Sequence, residues 1–347
     1  MEANSIIYEI DQLAIHKVGN KLEHEGVFIS DSTIQLNETI SGLLSTYFFT
    51  PFKSEEQYQF YSELSLEDNK VYQLVKEIFE QPDKLLEHSA QMAHHLYENS
   101  GHARIKGGEF YVAYFKDCVI NGSRADAVGL FKSENKDTFL KIYPDGEQLQ
   151  LGTDMGINIQ KLDKGCIIYN INAETGFVCK VLDKSNKGNE TLYWFDYFLH
   201  VRQIFNDYYY TEQMINICKD FVKKELPEEF EVSRADQADI IIKSEQYLNN
   251  NDAFNFGDFS QAILEQKEVQ DKFADFRYEY QQEHQIQLED NFTISDAAVK
   301  KKKSFFRSKI KLDKNFTIYV HGNPELILND VDETGRKFYK IYYDNEQ

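Results

Sequence analysis

Three charged residues, Asp126, Glu134 and Lys136, are of the types that some metal-dependent nucleases use. In such enzymes an acid precedes a Glu-x-Lys tripeptide, and two carboxylates at the ends of adjacent strands hold Mg²⁺. Here Glu134-Asn135-Lys136 falls in a charged segment between two predicted strands, a composition that is common in turns. A metal-dependent nuclease is therefore the least favoured of three functional hypotheses; the other two depend on the charge pattern of the chain.

Four histidines, His88, His94, His95 and His102, cluster around one predicted helix. The zinc-binding pattern H-E-x-x-H is absent, and no second acid lies at a diagnostic spacing, so we predict no metal site. No serine or cysteine stands in the sequence context of a nucleophile. We therefore predict no catalytic residue, no cofactor and no enzymatic activity.

The strongest local feature is a cationic run in a chain of formal net charge -20. Its bases are Lys300, Lys301, Lys302, Lys303, Arg307, Lys309, Lys311 and Lys314. One acid, Asp313, lies among them, so the rest of the chain has 38 − 8 = 30 bases and 58 − 1 = 57 acids, a net charge of -27. Such a run can contact nucleic-acid phosphates. The alternative is a solvated run that keeps the edge of a sheet soluble.

The strand pattern beyond this run adds two more candidate cations. Arg336, Phe338, Lys340 and Tyr342 alternate along a predicted strand, and the two-residue period places them on one face. Cations interleaved with aromatic rings are typical of nucleic-acid contact, and equally of an ordinary amphipathic surface. We include Arg336 and Lys340 among the predicted DNA-binding residues.

The elements that carry these residues follow from periodicity. Residues 109–121, 123–133, 138–144, 165–173 and 176–182 read as strands, and Asn37 and Ser233 read as helix N-caps, the latter in a capping-box variant with Asp236. From Tyr193 the pattern turns helical, with Trp194, Phe198, Val201 and Phe205 on one face.

The fold class predicted from these patterns is α+β. We expect a mostly antiparallel sheet with helices in residues 1–192, a helical region in 193–290, and the basic segment with a small β-meander in 291–347. The four cysteines are scattered singly, which favours reduced thiols in the cytoplasm over a disulfide framework.

Three stretches resemble a known family: Ile10–Gly19 (IDQLAIHKVG), Tyr193–Val201 (YWFDYFLHV) and Phe306–Glu325 (FRSKIKLDKNFTIYVHGNPE). Together they are similar to the bacterial nucleoid-associated proteins of the NdpA or YejK type, in order and over nearly the whole chain. The resemblance implies a cytoplasmic protein on the nucleoid that binds DNA, and it suggests contact with type II topoisomerases. It supplies no site motif that can be carried over residue by residue.

Two further hypotheses therefore lead. In the first, the protein is a non-enzymatic, double-stranded-DNA-binding protein of the nucleoid with little sequence specificity. In the second, it is an acidic interaction adaptor that docks on a DNA enzyme such as a type II topoisomerase.

Overall fold

The structure is a computed structural model that describes residues 8–184, 193–306, 308–312, 314–320 and 326–345, with the backbone alone at 308–311, 320 and 329. The chain forms two compact units, Met1–Ile204 and Phe205–Gln347. Among the described residues, no helix combines the length and the hydropathy that a membrane span requires.

The first unit is built on an eight-stranded sheet and a separate hairpin. In chain order its strands are β1 (Ile10–Val18), β2 (Val27–Phe28), β3 (Tyr58–Phe60), β4 (Gly108–Ile120), β5 (Ser123–Ser133), β6 (Asp137–Asp145), β7 (Gln148–Gly156), β8 (Lys164–Tyr169), β9 (Val178–Asp183) and β10 (Val201–Gln203). The sheet order is β10-β3-β9-β8-β5-β4-β1-β2, and every pairing in it is antiparallel. Strands β6 and β7 pair with each other.

Both faces of this sheet are buried, which explains its nearly continuous apolar strands. Along β4, Phe110, Val112 and Tyr114 pack into one hydrophobic cluster. The alternate residues Tyr111 and Phe115 pack into a second cluster. Because successive strand side chains point to opposite faces, each cluster receives every second residue.

Helices cover the two faces. They are α1 (Glu38–Phe49), α2 (Lys70–Glu80) and α3 (Leu85–Glu98). Helix α1 supplies Tyr47 and Phe48 to one cluster, whereas α2 and α3 pack into the other. The predicted N-cap is confirmed, because the Asn37 side chain accepts a hydrogen bond from the Ile40 N–H at 2.9 Å.

A short π-helix, Tyr193–Leu199, brings Trp194 into the first unit. The indole ring is fully buried, and its Nε1–H donates to the Gly165 carbonyl at 3.4 Å. The prediction that this helix continues through Val201 and Phe205 was wrong. His200 has φ +53°, which ends the helix, and Val201 instead pairs with Phe60 in the sheet.

The second unit is mainly helical. Its helices are α4 (Asp207–Asp220), α5 (Leu226–Glu229), α6 (Arg234–Asn250), α7 (Phe256–Ile263), α8 (Lys267–Glu283), α9 (Asp296–Lys301) and α10 (Lys303–Phe306), with a π-helix at Phe221–Glu225. The predicted capping box of α6 is confirmed: Asp236 N–H donates to Ser233 Oγ at 3.1 Å, and Ser233 N–H donates to Asp236 Oδ2 at 2.7 Å.

Three two-stranded sheets complete this unit. Strands β11 (Ala253–Asn255) and β12 (Asn291–Thr293) pair, as do β13 (Ser308–Leu312) with β14 (Phe316–Val320) and β15 (Ile327–Val331) with β16 (Lys337–Ile341). Leu312, Ile318, Ile327 and Tyr339 of the last two hairpins pack around Ile242 of α6. The α+β class and the small C-terminal strands are thus confirmed.

The predicted three-part division of the chain, 1–192, 193–290 and 291–347, stays a prediction. The structure shows two compact units, and residues 193–204 belong to the first of them. The aromatic side chains of the π-helix account for this, since Trp194 and Phe198 pack into the hydrophobic cluster beside the sheet.

Candidate nucleic-acid interface

The four consecutive lysines lie at the end of α9 and the start of α10. Ser295 caps α9, with its Oγ accepting from the Ala298 N–H at 3.4 Å. Ala298 and Val299 before the lysines, and Phe305 and Phe306 after them, are buried. Because apolar residues on both sides fix the backbone in the core, the lysine run between them is held at the surface of the second unit.

Two of these lysines bind a carboxylate of their own unit. Glu212, on α4, is almost completely buried, and its Oε1 lies 3.1 Å from Lys301 Nζ and 3.0 Å from Lys302 Nζ. Lys302 Nζ also donates to Asn216 Oδ1 at 3.0 Å. Burial raises the pKa of Glu212, but hydrogen bonds from Lys302 and Lys301 outweigh it and leave the pKa below its usual value. These two lysines therefore attach the segment to α4.

Lys300, Lys303 and Lys314 behave differently. All three side chains are exposed, and none forms an ion pair within the described ranges of the chain. Their positive charge therefore faces solvent without a carboxylate partner from the described residues. These are the cations of the basic run that are best placed to meet an external anion.

The β15–β16 hairpin bears the other two predicted cations that the structure describes in full. Its inner face carries Ile327 and Tyr339 onto Ile242. Lys340 lies on the opposite face with Phe338, which is 42% exposed. Arg336 lies in the turn before β16, and Tyr342, 44% exposed, directly follows the strand. Lys340 Nζ lies 4.8 Å from the centroid of the Tyr342 ring. Of the predicted face, the contact between Lys340 and Tyr342 is present, whereas Arg336 lies outside the strand.

The remaining predicted residues can be placed less fully. Arg307 lies outside the described residues. The backbone register of β13 and β14 pairs Lys309 with Tyr319 and Lys311 with Thr317. The assignment of all ten cations to DNA binding stays a prediction.

A second group of charges, in the first unit, was not predicted. We call Lys132, Glu134, Lys164, Asp183 and Tyr193 the buried ionic cluster. Lys132 Nζ lies 3.0 Å from Glu134 Oε1, and Lys164 Nζ lies 2.8 Å from Asp183 Oδ1 and 3.7 Å from Glu134 Oε2. The Tyr193 hydroxyl donates to Glu134 Oε1 at 2.7 Å. The side chains of both lysines and Asp183 are 0% exposed, and that of Glu134 is 3% exposed.

The electrostatics of this cluster follow from its burial. Desolvation lowers the pKa of Lys132, against the raising effect of Glu134. Burial raises the pKa of Glu134, but Lys132 and Lys164 together lower it below its usual value. The Tyr193 ring lies near both ammonium groups, 5.6 Å from Lys132 Nζ and 5.0 Å from Lys164 Nζ. The sequence signal was a lysine inside an apolar strand run, Ala127 to Ser133.

The geometry around Glu134 bears on the nuclease hypothesis. Its two carboxylate oxygens face Lys132, Lys164 and Tyr193, while Lys136 turns away and binds Glu109 Oε1 at 2.6 Å. A Glu-x-Lys pair whose members bind different partners does not form the shared site that metal-dependent cleavage needs. Among the described residues, no group of three or more His, Cys, Asp and Glu side chains could hold a metal ion.

A buried serine–histidine contact was also missed by the sequence patterns. His16 Nε2 lies 2.8 Å from Ser89 Oγ, and His16 Nδ1 accepts from the Ser30 N–H at 3.2 Å. The ring proton therefore sits on Nε2 and is donated to Ser89, whose hydroxyl donates to the Leu86 carbonyl at 2.8 Å. Desolvation, with His94 nearby, lowers the pKa of His16 to about 4. The imidazole cannot act as a base toward Ser89 in this arrangement.

Comparison with known proteins agrees with the resemblance noted above. A family model described as nucleoid-associated protein YejK matches residues 14–345. The matched range includes most of both compact units. No curated protein matches the chain.

Proposed function

The chain belongs to the nucleoid-associated protein YejK family, and from this premise we propose that it binds double-stranded DNA on the bacterial nucleoid. In this proposal C-terminal cations contact phosphates with little sequence specificity, and the protein catalyses no reaction. The proposed contacts are Lys300, Lys303 and Lys314 of the basic run, Lys340 of β16, and Arg336 directly before that strand.

One observation carries the proposal: lysines that are exposed, and that form no ion pair with any described residue, are concentrated in one segment of a chain that is otherwise strongly acidic. Lys301 and Lys302 anchor this segment to Glu212, and Lys300 and Lys303 on either side face solvent. Acidic residues elsewhere are substantially screened from this patch, because the Debye length is about 8 Å at physiological salt. The anchored pair thus positions its neighbours for phosphate contact.

Duplex DNA titrated with the purified protein across a salt series tests this function. If all five proposed cations meet phosphates, the log–log slope of affinity against salt should be about -4.5, since each neutralised phosphate contributes about -0.9. Duplexes of different sequence should bind about equally, because phosphate contacts carry no sequence information. Absence of binding at low salt, or a slope near zero, would contradict the proposal. Fluorescence anisotropy gives both quantities.

Absence of catalysis is tested separately. Plasmid DNA incubated with the protein and Mg²⁺ or Mn²⁺ should remain uncut, because Glu134 and Lys136 are held by different partners. The measurement is the fraction of supercoiled plasmid that survives on a gel. Cleavage by the wild type that a folded Glu134→Gln variant abolishes would establish the nuclease function instead.

A second candidate function is the acidic adaptor that docks on a DNA enzyme such as a type II topoisomerase. The net charge of -27 outside residues 300–314 favours it, since a strongly acidic surface attracts a basic partner. In that case the protein would bind the enzyme in a salt-dependent manner and duplex DNA weakly or not at all. The salt series on DNA therefore separates the two functions.

A further inference from the structure

A groove in the second unit lies between α5 with the segment that follows it, the first part of α6, and the connection from α7 to α8. It encloses about 410 Å³. Its floor is formed by five buried apolar residues, Leu226, Ile240, Ile263, Leu264 and Val269. Pockets that take up drug-sized ligands have volumes of about 300–1,000 Å³ and apolar linings. The groove therefore has the size and the lining of a binding site.

Contacts outside the groove fix the elements on its sides. Gln237 of α6 is buried, and its Nε2 donates to the Val222 carbonyl at 2.9 Å, which joins α6 to the π-helix before α5. Lys272 Nζ of α8 lies 3.0 Å from Glu225 Oε1 and 3.1 Å from Glu229 Oε1, which joins α8 to α5 and to the same π-helix. Because none of these five residues lines the groove, its shape does not depend on a bound ligand.

Carboxylates dominate the rim of the groove. Glu231 follows α5, Asp236 and Asp239 lie on α6, and Glu265 lies in the connection between α7 and α8. Among the described residues that line the groove, Lys243 is the one cation. Neither Glu231 nor Asp236 forms an ion pair with a described residue. We call the apolar floor and this rim together the acidic groove.

Lys243 shows how the rim binds an ammonium group. Its Nζ lies 2.7 Å from Asp239 Oδ2 and 3.0 Å from Glu265 Oε1. The hydrogen bond to Asp239, with that to Glu265, outweighs desolvation and raises the pKa of Lys243. The rim thus stabilises a positive charge, and Glu231 and Asp236 can accept further cationic groups from outside.

We propose that the acidic groove binds an amphipathic, basic helix of a partner protein. Apolar side chains on one face of this helix would fill the floor, and lysines or arginines beside them would meet Glu231 and Asp236. The inference goes beyond the proposed DNA binding and does not depend on it, because the residues of the groove are distinct from the proposed DNA contacts.

The elements around the groove favour a helical occupant. None of the described residues that line it lies in a strand, so an extended peptide would find no sheet edge to pair with. A helix forms its backbone hydrogen bonds internally and needs only side-chain contacts. Apolar residues at spacings of three and four present one continuous stripe to the floor.

Charge excludes other occupants. The phosphates of DNA would meet the carboxylates of the rim, in a chain whose formal net charge is -20. An acidic protein segment would be repelled in the same way. A neutral apolar molecule would contact the floor and leave the rim unused. Salt distinguishes it from a basic helix, because only the helix loses ionic attraction as the salt concentration rises.

Binding of synthetic peptides to the full-length protein, without DNA, tests the inference. The probe is a fluorescein-labelled peptide of leucine and lysine at helical spacing, about 18 residues long so that it can form a helix. A second peptide replaces every leucine with alanine, which keeps the charge and the helix propensity. We expect saturable binding of the leucine peptide at physiological salt. The alanine peptide should bind at least tenfold more weakly, because its methyl groups cannot fill the apolar floor.

A matched pair of variants locates the site. Glu231→Lys and Glu228→Lys change the net charge equally, and both glutamates are exposed and form no ion pair with a described residue. Of the two, Glu231 lines the groove. Glu231→Lys should weaken binding of the leucine peptide about fivefold, and Glu228→Lys by less than about twofold. Hydrogen exchange should show added protection by the peptide in residues 230–233 and 264–266.

Three results would overturn the inference: no saturable binding of the leucine peptide, equal affinity for the two peptides, or an equal loss in the two variants. Added protection confined to other parts of the chain would do so as well. Circular dichroism checks that each variant is folded. Should Glu231→Lys be unfolded, Glu231→Gln makes the same test with a smaller expected loss. None of these results changes the salt slope expected for duplex DNA, so failure of this inference and failure of the proposed function are distinguishable.

Discussion

Replacing Lys300, Lys303 and Lys314 with glutamine is expected to reduce the salt slope of duplex binding by about 2.7, which is about 0.9 for each phosphate that the variant no longer neutralises. When the salt concentration is raised fourfold, from low to physiological, both proteins lose affinity for duplex DNA. The fold loss for the wild type should be about 40 times the fold loss for the variant. The weakening should be similar for all duplex sequences. Stability should change little, because the three side chains are exposed and make no ion pair with the described residues.

The matched control is the triple variant Lys17→Gln, Lys53→Gln and Lys70→Gln. These lysines are also exposed, lie outside the basic run and change the net charge by the same amount. Equal salt slopes in the two triple variants would remove residues 300–314 from the DNA site and favour the adaptor function. Glu212→Gln weakens the attachment of Lys301 and Lys302, so the second unit should lose stability and Lys300 and Lys303 should lose the anchor that positions them.

Glu134→Ala is expected to destabilise the first unit by about 3–5 kcal/mol, the usual result of removing one partner from a buried charge group. Lys132 and Lys164 would keep their buried ammonium groups with less negative charge nearby, and Tyr193 would lose its acceptor. Glu134→Gln should fall between Ala and wild type, because the amide oxygen can still accept from Tyr193. Urea unfolding followed by circular dichroism, with hydrogen exchange in β5 and β8, measures the effect.

The pH dependence of the Glu134→Ala variant supplies a second observable. Desolvation lowers the pKa of Lys132, and loss of Glu134 removes the main effect that opposes it. Between this lowered pKa and the ordinary lysine pKa, the unfolded state binds more protons than the folded state. The free energy of unfolding of the variant should therefore rise with pH in this window.

Lys136→Ala is the control for the loss of stability: its pair with Glu109 is partly exposed and should contribute about 1 kcal/mol or less. A similar, small loss in both variants would show that the buried ionic cluster contributes little.

Much of the fold could be predicted because a strand that is buried on both faces has a nearly continuous apolar sequence. Strand β5 matches its predicted range, and β4 is displaced by one residue. The caps at Asn37 and Ser233 are local, so their residue types were sufficient. Strand β7 was missed because Gly152, Asp154 and Gly156 are of residue types that are uncommon in strands. The end of the π-helix at His200 depends on tertiary contacts, since Asn69 Nδ2 donates to the Leu199 and His200 carbonyls at 3.0 Å.

The candidate site could be predicted only as a charge pattern. The density of lysines in residues 300–314 is visible in the sequence, but the division into anchored and exposed lysines is not. That division depends on Glu212, which lies on α4, far away along the chain. The buried ionic cluster was hidden for the same reason, since β5, β8, β9 and the π-helix each contribute a residue to it.

Trp194 gives the molecule a built-in optical reporter. It is the single tryptophan of the chain, it is fully buried, and it lies in the first unit. Its fluorescence emission should shift to longer wavelength when the first unit unfolds and water reaches the ring. The second unit is mainly helical and rich in tyrosine, so its unfolding will be detected chiefly by circular dichroism. Coincident transitions would mean that the two units unfold together, and separated transitions would give each unit its own midpoint. Because the one indole ring lies in the first unit, its fluorescence measures the stability of that unit separately from that of the second.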